Sequence, residues 1–111
     1  MAVLKYDNAK VHYPAEGIAR RLVHLDNLLM AVLDFSNGPQ SAPDPMHSHP
    51  HEQTCYIAEG EVMFFMEDEE PQHLKTGDMF YVPSHKKHSI QLLTETARLV
   101  DSFSPVREDF I

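Results

Sequence analysis

The sequence predicts an all-β fold, a sandwich or small barrel, from three observations. Short apolar stretches rich in β-branched and aromatic residues recur about every ten residues, with turn residues between them. Eight prolines and four glycines are scattered among those stretches and cut the chain into short pieces. No segment keeps a 3.6-residue apolar period through three turns, as a helix with one buried face would.

Taken in chain order, the first expected strands are "ARRLVHL" (19–25) and "LLMAVLDF" (28–35), joined at Asp26 and Asn27. "QTCYIAE" (53–59) and "EVMFFME" (61–67) follow, joined at Gly60. The acidic "EDEEP" (67–71) is then read as an exposed hairpin tip, since nothing nearby completes a calcium loop. "DMFYVP" (78–83) begins after Gly77, and the chain finishes with "HSIQLLT" (88–94) and "ARLVDSF" (97–103).

A chain of 111 residues fits one domain, so residues 1–111 are expected to share a single core. The hydrophobic fraction of 42% and charged fraction of 23% are those of a soluble folded protein. No apolar run approaches the ~20 residues of a membrane helix, and "MAVLKYDNAK" lacks the apolar core of a signal peptide. No membrane partner and a cytoplasmic location are therefore expected. Cys55 is the only cysteine, which excludes an intrachain disulfide and any thiol cluster for structural zinc. The net charge of −8, with no basic run longer than "RR" or "KK", argues against a nucleic-acid partner. It leaves room for a small anionic substrate, because salt screens distant charges and local basic residues govern a pocket.

"HSHPHEQ" (47–53) concentrates the chemistry. Residues two apart on an extended strand project to the same side, so His47 and His49 can face one point. Gln53 opens the next strand, close enough for its side-chain oxygen to converge there. A further ligand must come from far along the chain, and "GDMFYVPSHKKHSI" offers His85 and His88. His88 opens a strand and is the stronger candidate; His85 sits in a turn beside Lys86 and Lys87. Isolated histidines are usually surface residues, and His12, His24 and His73, which lack such partners, are read as structural or exposed. Clustering at same-face spacing, with a distant partner, points instead to a transition metal. His51 falls in the intervening turn, where it would line the mouth of the site or orient a neighbour.

A second constellation lies at the carboxy terminus, in "ARLVDSFSPVREDF". Leu99, Asp101 and Phe103 alternate on one strand face, and Arg107 follows a proline-braced turn. By alternation alone Phe103 is a core residue, Asp101 the partner of a surface cation, and "REDF" a solvated tail. If that face is inward, an acid, an aromatic plate and a cation approach one pocket, and a sugar acid would use all three. Arg20, Arg21 and Arg98 lie on expected strands whose register is needed to say which of them face inward.

Two longer patterns give a family resemblance. "PMHSHPHEQTCYIAEG" resembles the first cupin motif, G-x5-H-x-H-x(3,4)-E-x6-G, with Gln53 in place of the glutamate, Gly60 as the final glycine, and the initial glycine displaced to Gly38. "GDMFYVPSHKKHSIQL" resembles the second, G-x5-P-x-G-x2-H-x3-N, matching at Gly77, Pro83 and His88, with His85 and Leu92 replacing the second glycine and the asparagine. The resemblance implies a cupin double-stranded β-helix, or jelly-roll barrel, with His47, His49, Gln53 and His88 around one divalent metal: nickel, zinc, manganese or iron. It also implies a homodimer, since small cupins commonly pair.

The tail pattern D-x-F-x-P-x-R-E-D-F, from Asp101 to Phe110, together with H-x-H-x3-Q, resembles the KdgF group of cupins, which act in pectin and alginate breakdown. That resemblance reverses the surface reading of Asp101 and implies a function. The chain would linearise 4,5-unsaturated uronate monosaccharides to 5-keto-4-deoxyuronate, with Asp101, Phe103 and Arg107 acting on substrate. Competing expectations are another metal-dependent cupin enzyme, a dioxygenase or sugar isomerase, and a non-catalytic cupin that binds sugar or metal. Gln53 leans toward lyase, isomerase or hydration chemistry and away from oxygen chemistry, because an amide oxygen leaves the ion's dipositive charge undiminished toward an anionic substrate.

Overall fold

Alternation of burial, clearest in the strands over residues 52–59 and 97–104, lays this chain around one interior. A computed structural model describes residues 2–111, and among these it forms nine strands. They are β1 (His12–Ala15), β2 (Ile18–His24), β3 (Leu29–Phe35), β4 (Glu52–Glu59), β5 (Glu61–Met66), β6 (Gln72–Lys75), β7 (Met79–Val82), β8 (His88–Leu92) and β9 (Ala97–Ser104). Short 3-10 turns cover Tyr6–Asn8 and Glu108–Phe110. The strands pair antiparallel in two sheets, ordered β1-β2-β3-β9-β4-β7 and β6-β5-β8.

Seven of these strands are those expected from the sequence, within a few residues at each end. The other two, β1 and β6, are edge strands with mostly exposed side chains. A strand that buries almost nothing carries no apolar alternation to read, and Pro14 is tolerated in β1 because an edge need not donate on both sides. Residues 67–71 form the tip of the β5–β6 hairpin, as their acidity suggested.

The register of β4, β9 and β3 sets what points inward. Gln53, Cys55 and Ile57 pair with Phe103, Asp101 and Leu99. On the other side of β9, Phe103, Asp101 and Leu99 pair with Leu29, Ala31 and Leu33. Side chains that pair across neighbouring strands share a sheet face, so Asp101 is flanked by Cys55 and Ala31 and lies inside the barrel. The larger core cluster, including Ile57, Val62, Phe80, Val82 and Leu99, fills one end. A smaller one of Leu29, Ala31 and Phe103 backs the other, where the histidines gather.

Gly60, between β4 and β5, has φ +90°, and a Cβ there would lie 2.6 Å from the Thr96 carbonyl oxygen and 2.9 Å from the Ala97 Cα. Both obstacles are backbone, so only glycine lets the hairpin turn this close to β9. His85 adopts φ +67°, in the left-handed region. Its backbone N–H donates to the His49 carbonyl at 2.7 Å, which holds the turn in that conformation. This explains why the corresponding motif position is a glycine. Replacing His85 by Gly removes a left-handed penalty of ~1–2 kcal/mol and adds back ~0.5–1 kcal/mol of unfolded-chain entropy. We expect His85→Gly to stabilise the protein by about 0.5–1 kcal/mol. A denaturant midpoint unchanged or lowered would contradict this.

Candidate metal centre and pocket

The metal-ligating side chains come from two segments zipped together by their backbones. His47 and His88 form an antiparallel bridge, the N–H of each donating to the other's carbonyl, at 3.0 Å and 2.9 Å. The amide of His85 ties the same turn to His49. His47, His49 and His88 thereby offer one ring nitrogen each, all within 4.8 Å of one another. Nitrogens bonded at ~2.1 Å to one tetrahedral ion lie ~3.4 Å apart, so the rings would draw in around a bound ion. His49 and His88 are buried and His47 lies at the mouth, more exposed.

Hydrogen bonds decide which nitrogens face inward. The His49 Nδ1–H donates to the His51 carbonyl at 2.9 Å, and the His88 Nδ1–H donates to the Lys86 carbonyl at 2.9 Å. A carbonyl only accepts, so in each neutral ring the lone pair is on Nε2. His88 Nε2 is buried with no hydrogen-bond partner. His49 Nε2 lies 3.1 Å from Gln53 Oε1, while the Gln53 Nε2–H donates to Asp101 Oδ1 at 3.1 Å. Two lone-pair atoms thus face each other beside an orphaned third. A cation satisfies all of them, and carbonyl-anchored Nδ1 atoms are the usual orienting arrangement of metal-binding imidazoles. The residues fit a divalent metal. Burial also holds the His88 imidazole down to about 4 and lowers His47, which keeps both neutral and available to ligate.

His51 takes the orienting role expected of it, through its carbonyl rather than its ring. Its ring stands edge-on to His49, centroids 5.6 Å apart. His85 is exposed, and His73 and His24 are also at the surface, His73 paired with Glu61 at 2.8 Å.

Asp101 is buried beside this cluster, and so the surface-cation reading drawn from alternation alone is wrong: the strand register turns it inward. Burial raises its carboxyl above the ordinary range, while the Cys55 thiol, the Gln53 amide, Arg107 and His49 pull it down less strongly. Cys55, pushed up by the same burial, is a neutral neighbour with no nucleophilic character. Phe103 packs on Leu29 and also stands edge-on to His49, centroids 5.7 Å apart, so it is both core and wall.

Arg107 arches over the opening. Its fork is held by Asp109, Nε to Oδ1 at 3.2 Å and Nη2 to Oδ2 at 2.7 Å. The tail is therefore not a solvated extension. Phe110 folds back onto Phe103, centroids 5.5 Å apart, and the Arg107 guanidinium carbon lies 4.2 Å from the Phe110 ring centre. Together these side chains enclose a cavity of about 210 Å³ with His47, Gln53, His88, Asp101 and Phe103 on its walls. One water needs only ~10–15 Å³, so the cavity has room for a small molecule.

Strand register decides which way Arg20, Arg21 and Arg98 face. Arg98 and Arg21 turn outward to Asp34, at 2.6 Å and 3.6 Å. Arg20 turns inward, opposite Leu33, with its guanidinium carbon 3.8 Å from the Phe110 ring centre. Only the long-range pairing of β2 with β3 carries that signal.

Comparison with known proteins agrees with this fold. The cupin domain family matches residues 35–103. The pectin degradation protein KdgF of Dickeya dadantii (strain 3937) is 35% identical over 98 residues, 86% of this chain and 86% of that protein. Among solved structures, an RmlC-like cupin from Shewanella frigidimarina NCIMB 400 superposes with a TM-score of 0.87 at 29% identity, covering 100% of this chain and 96% of that one. KdgF from Halomonas sp. superposes with a TM-score of 0.85 at 28% identity, covering 96% and 97%.

Proposed function

This chain belongs to the cupin domain family and is related to KdgF, and from that premise we propose that it opens the ring of 4,5-unsaturated uronate monosaccharides, yielding 5-keto-4-deoxyuronate. The observation that carries the reading is the Gln53 carboxamide. Its oxygen faces the histidine cluster, and its nitrogen donates to Asp101, the buried acid of the pocket. A metal-facing group and a proton-transfer group are thus held at opposite ends of one amide.

His47, His49, His88 and the Gln53 oxygen would hold a divalent metal. Bound there, such an ion supplies positive charge that polarises substrate oxygens and is not reduced by any anionic ligand. The remaining work falls to the chain. Asp101 takes the proton of the anomeric hydroxyl, whose oxygen becomes the aldehyde oxygen as the bond from C1 to the ring oxygen breaks. The electron pair goes to the ring oxygen, already attached to the C4–C5 double bond, and an enolate results. Asp101 returns the proton to C4, giving the ketone at C5. One proton moves from oxygen to carbon and no water is consumed, so the step is an isomerisation. A carboxyl raised by burial suits a group that must both accept and release that proton. Phe103 backs the sugar, and Arg107 receives its carboxylate in place of Asp109.

The test is turnover of lyase-generated unsaturated uronate by purified protein, followed as loss of ultraviolet absorbance. We expect activity that chelator abolishes and added divalent metal restores. Absence of turnover by protein with metal bound would reject the reading.

A further inference from the structure

We propose that Arg20 is a second anion-binding residue of this pocket, which shares the substrate carboxylate with Arg107 and sets a preference for uronates over neutral sugars. The proposal rests on the ring-opening reading for the identity of the substrate, and on geometry for everything else.

Arg20 lies on β2 between Ile18 and Leu22, on the face that pairs with the inward residues Leu33 and Ala31 of β3. Arg20 is not on the cavity wall itself, but its same-face neighbours Ile18 and Leu33 are, and so is Phe110, whose ring its guanidinium faces. A guanidinium on the inner face of a barrel strand is out of place unless something anionic meets it. Among the described residues no carboxylate pairs with Arg20, and its Nε–H is buried without an acceptor. Of the other strand arginines, Arg21, whose Nε is likewise buried without an acceptor, and Arg98 share Asp34 on the outside, so what sets Arg20 apart is the missing carboxylate.

Charge at the mouth points the same way. Arg107 is already matched by Asp109 at 2.7 Å, so that pair adds no net charge. Arg20 makes no contact ion pair, with Asp109 acting on it only from a distance, and both guanidinium carbons lie against one ring, 3.8 Å and 4.2 Å from the Phe110 centre. Two cations gathered on one aromatic plate repel each other until an anion joins them, and their planar forks suit a carboxylate. Phe110 meets Phe103, which in turn meets His49. A sugar with its carboxylate at the two arginines therefore extends along Phe103 toward the histidines.

Glucuronate and glucose are suitable probes, since they share the pyranose ring, differ in the carboxylate, and lack the double bond that the reaction consumes. Binding would be measured calorimetrically on metal-loaded wild type, Arg20→Met, which keeps an apolar stem, and Arg20→Lys, which keeps the charge. We expect wild type to prefer glucuronate, and Arg20→Met to lose about ten- to a hundredfold in glucuronate affinity, the range of one charge-assisted hydrogen bond, with glucose unaffected. Arg20→Lys should retain part of the preference. In turnover, KM for the unsaturated uronate should rise in Arg20→Met ahead of any fall in kcat. No preference in wild type, or a preference intact in Arg20→Met, overturns the proposal. Should Arg20→Met fail to fold, Arg20→Lys decides: a glucuronate preference reduced from wild type supports the assignment, and one equal to wild type overturns it. An Arg20-dependent preference in a protein without turnover would reject the ring-opening reading and leave the anion site standing.

Discussion

Asp101→Asn is expected to lower kcat by about 10²- to 10⁴-fold, the range for losing a positioned proton-transfer group, while metal content stays at the wild-type level. The substitution is nearly isosteric, and the asparagine oxygen still accepts the Gln53 amide N–H that Asp101 Oδ1 accepts now at 3.1 Å. The Gln53 carbonyl therefore keeps its direction toward His49. What disappears is the ability to take and return a proton. Uronate turnover by absorbance, with metal by elemental analysis on the same preparation, separates the two effects. Rates within threefold of wild type would remove Asp101 from the reaction.

Gln53→Glu is expected to retain or tighten metal binding and yet lose turnover by more than about 100-fold, the lower bound again set by loss of proton transfer at Asp101. In isolation a carboxylate is the stronger metal ligand. Here the second oxygen of the introduced carboxylate would replace an N–H donor 3.1 Å from the Asp101 carboxyl. Two carboxylates so close share one proton, as paired acids do, and Asp101 would be fixed in a state that cannot cycle. The amide thus does something that a charge argument alone does not capture. Glutamine is the side chain of this length that offers an oxygen to a metal and a hydrogen to a neighbouring acid. A Gln53→Glu protein that turns over at the wild-type rate with full metal would sink this account.

The legible parts of the molecule are those where chemistry is encoded locally. Alternation in "QTCYIAE" and "ARLVDSF" revealed β4 and β9, and Gly60 marked the turn that backbone crowding requires. The spacing of His47 and His49, with His88 opening a strand, was enough to draw the cluster together. Relations between distant strands were not legible. Whether Asp101 meets solvent or Gln53 depends on β9 pairing with β4 in one register, and a slip by one residue would reverse it. The same holds for Arg20 against Arg21. The edge strands β1 and β6 bury too little to leave a pattern. The tail was readable as a motif, but its return onto Phe103 was not, because a 3-10 turn of three residues has no periodicity to detect.

The reciprocal backbone bridge between His47 and His88, with the His85 amide on the His49 carbonyl, has a consequence for loading. The imidazoles are spaced by main-chain hydrogen bonds that need no ion, in contrast to small zinc modules that fold only around their metal. A site framed in this way would take up and release an ion without refolding the chain, and the ion found in a working molecule would then follow which metal is supplied to it.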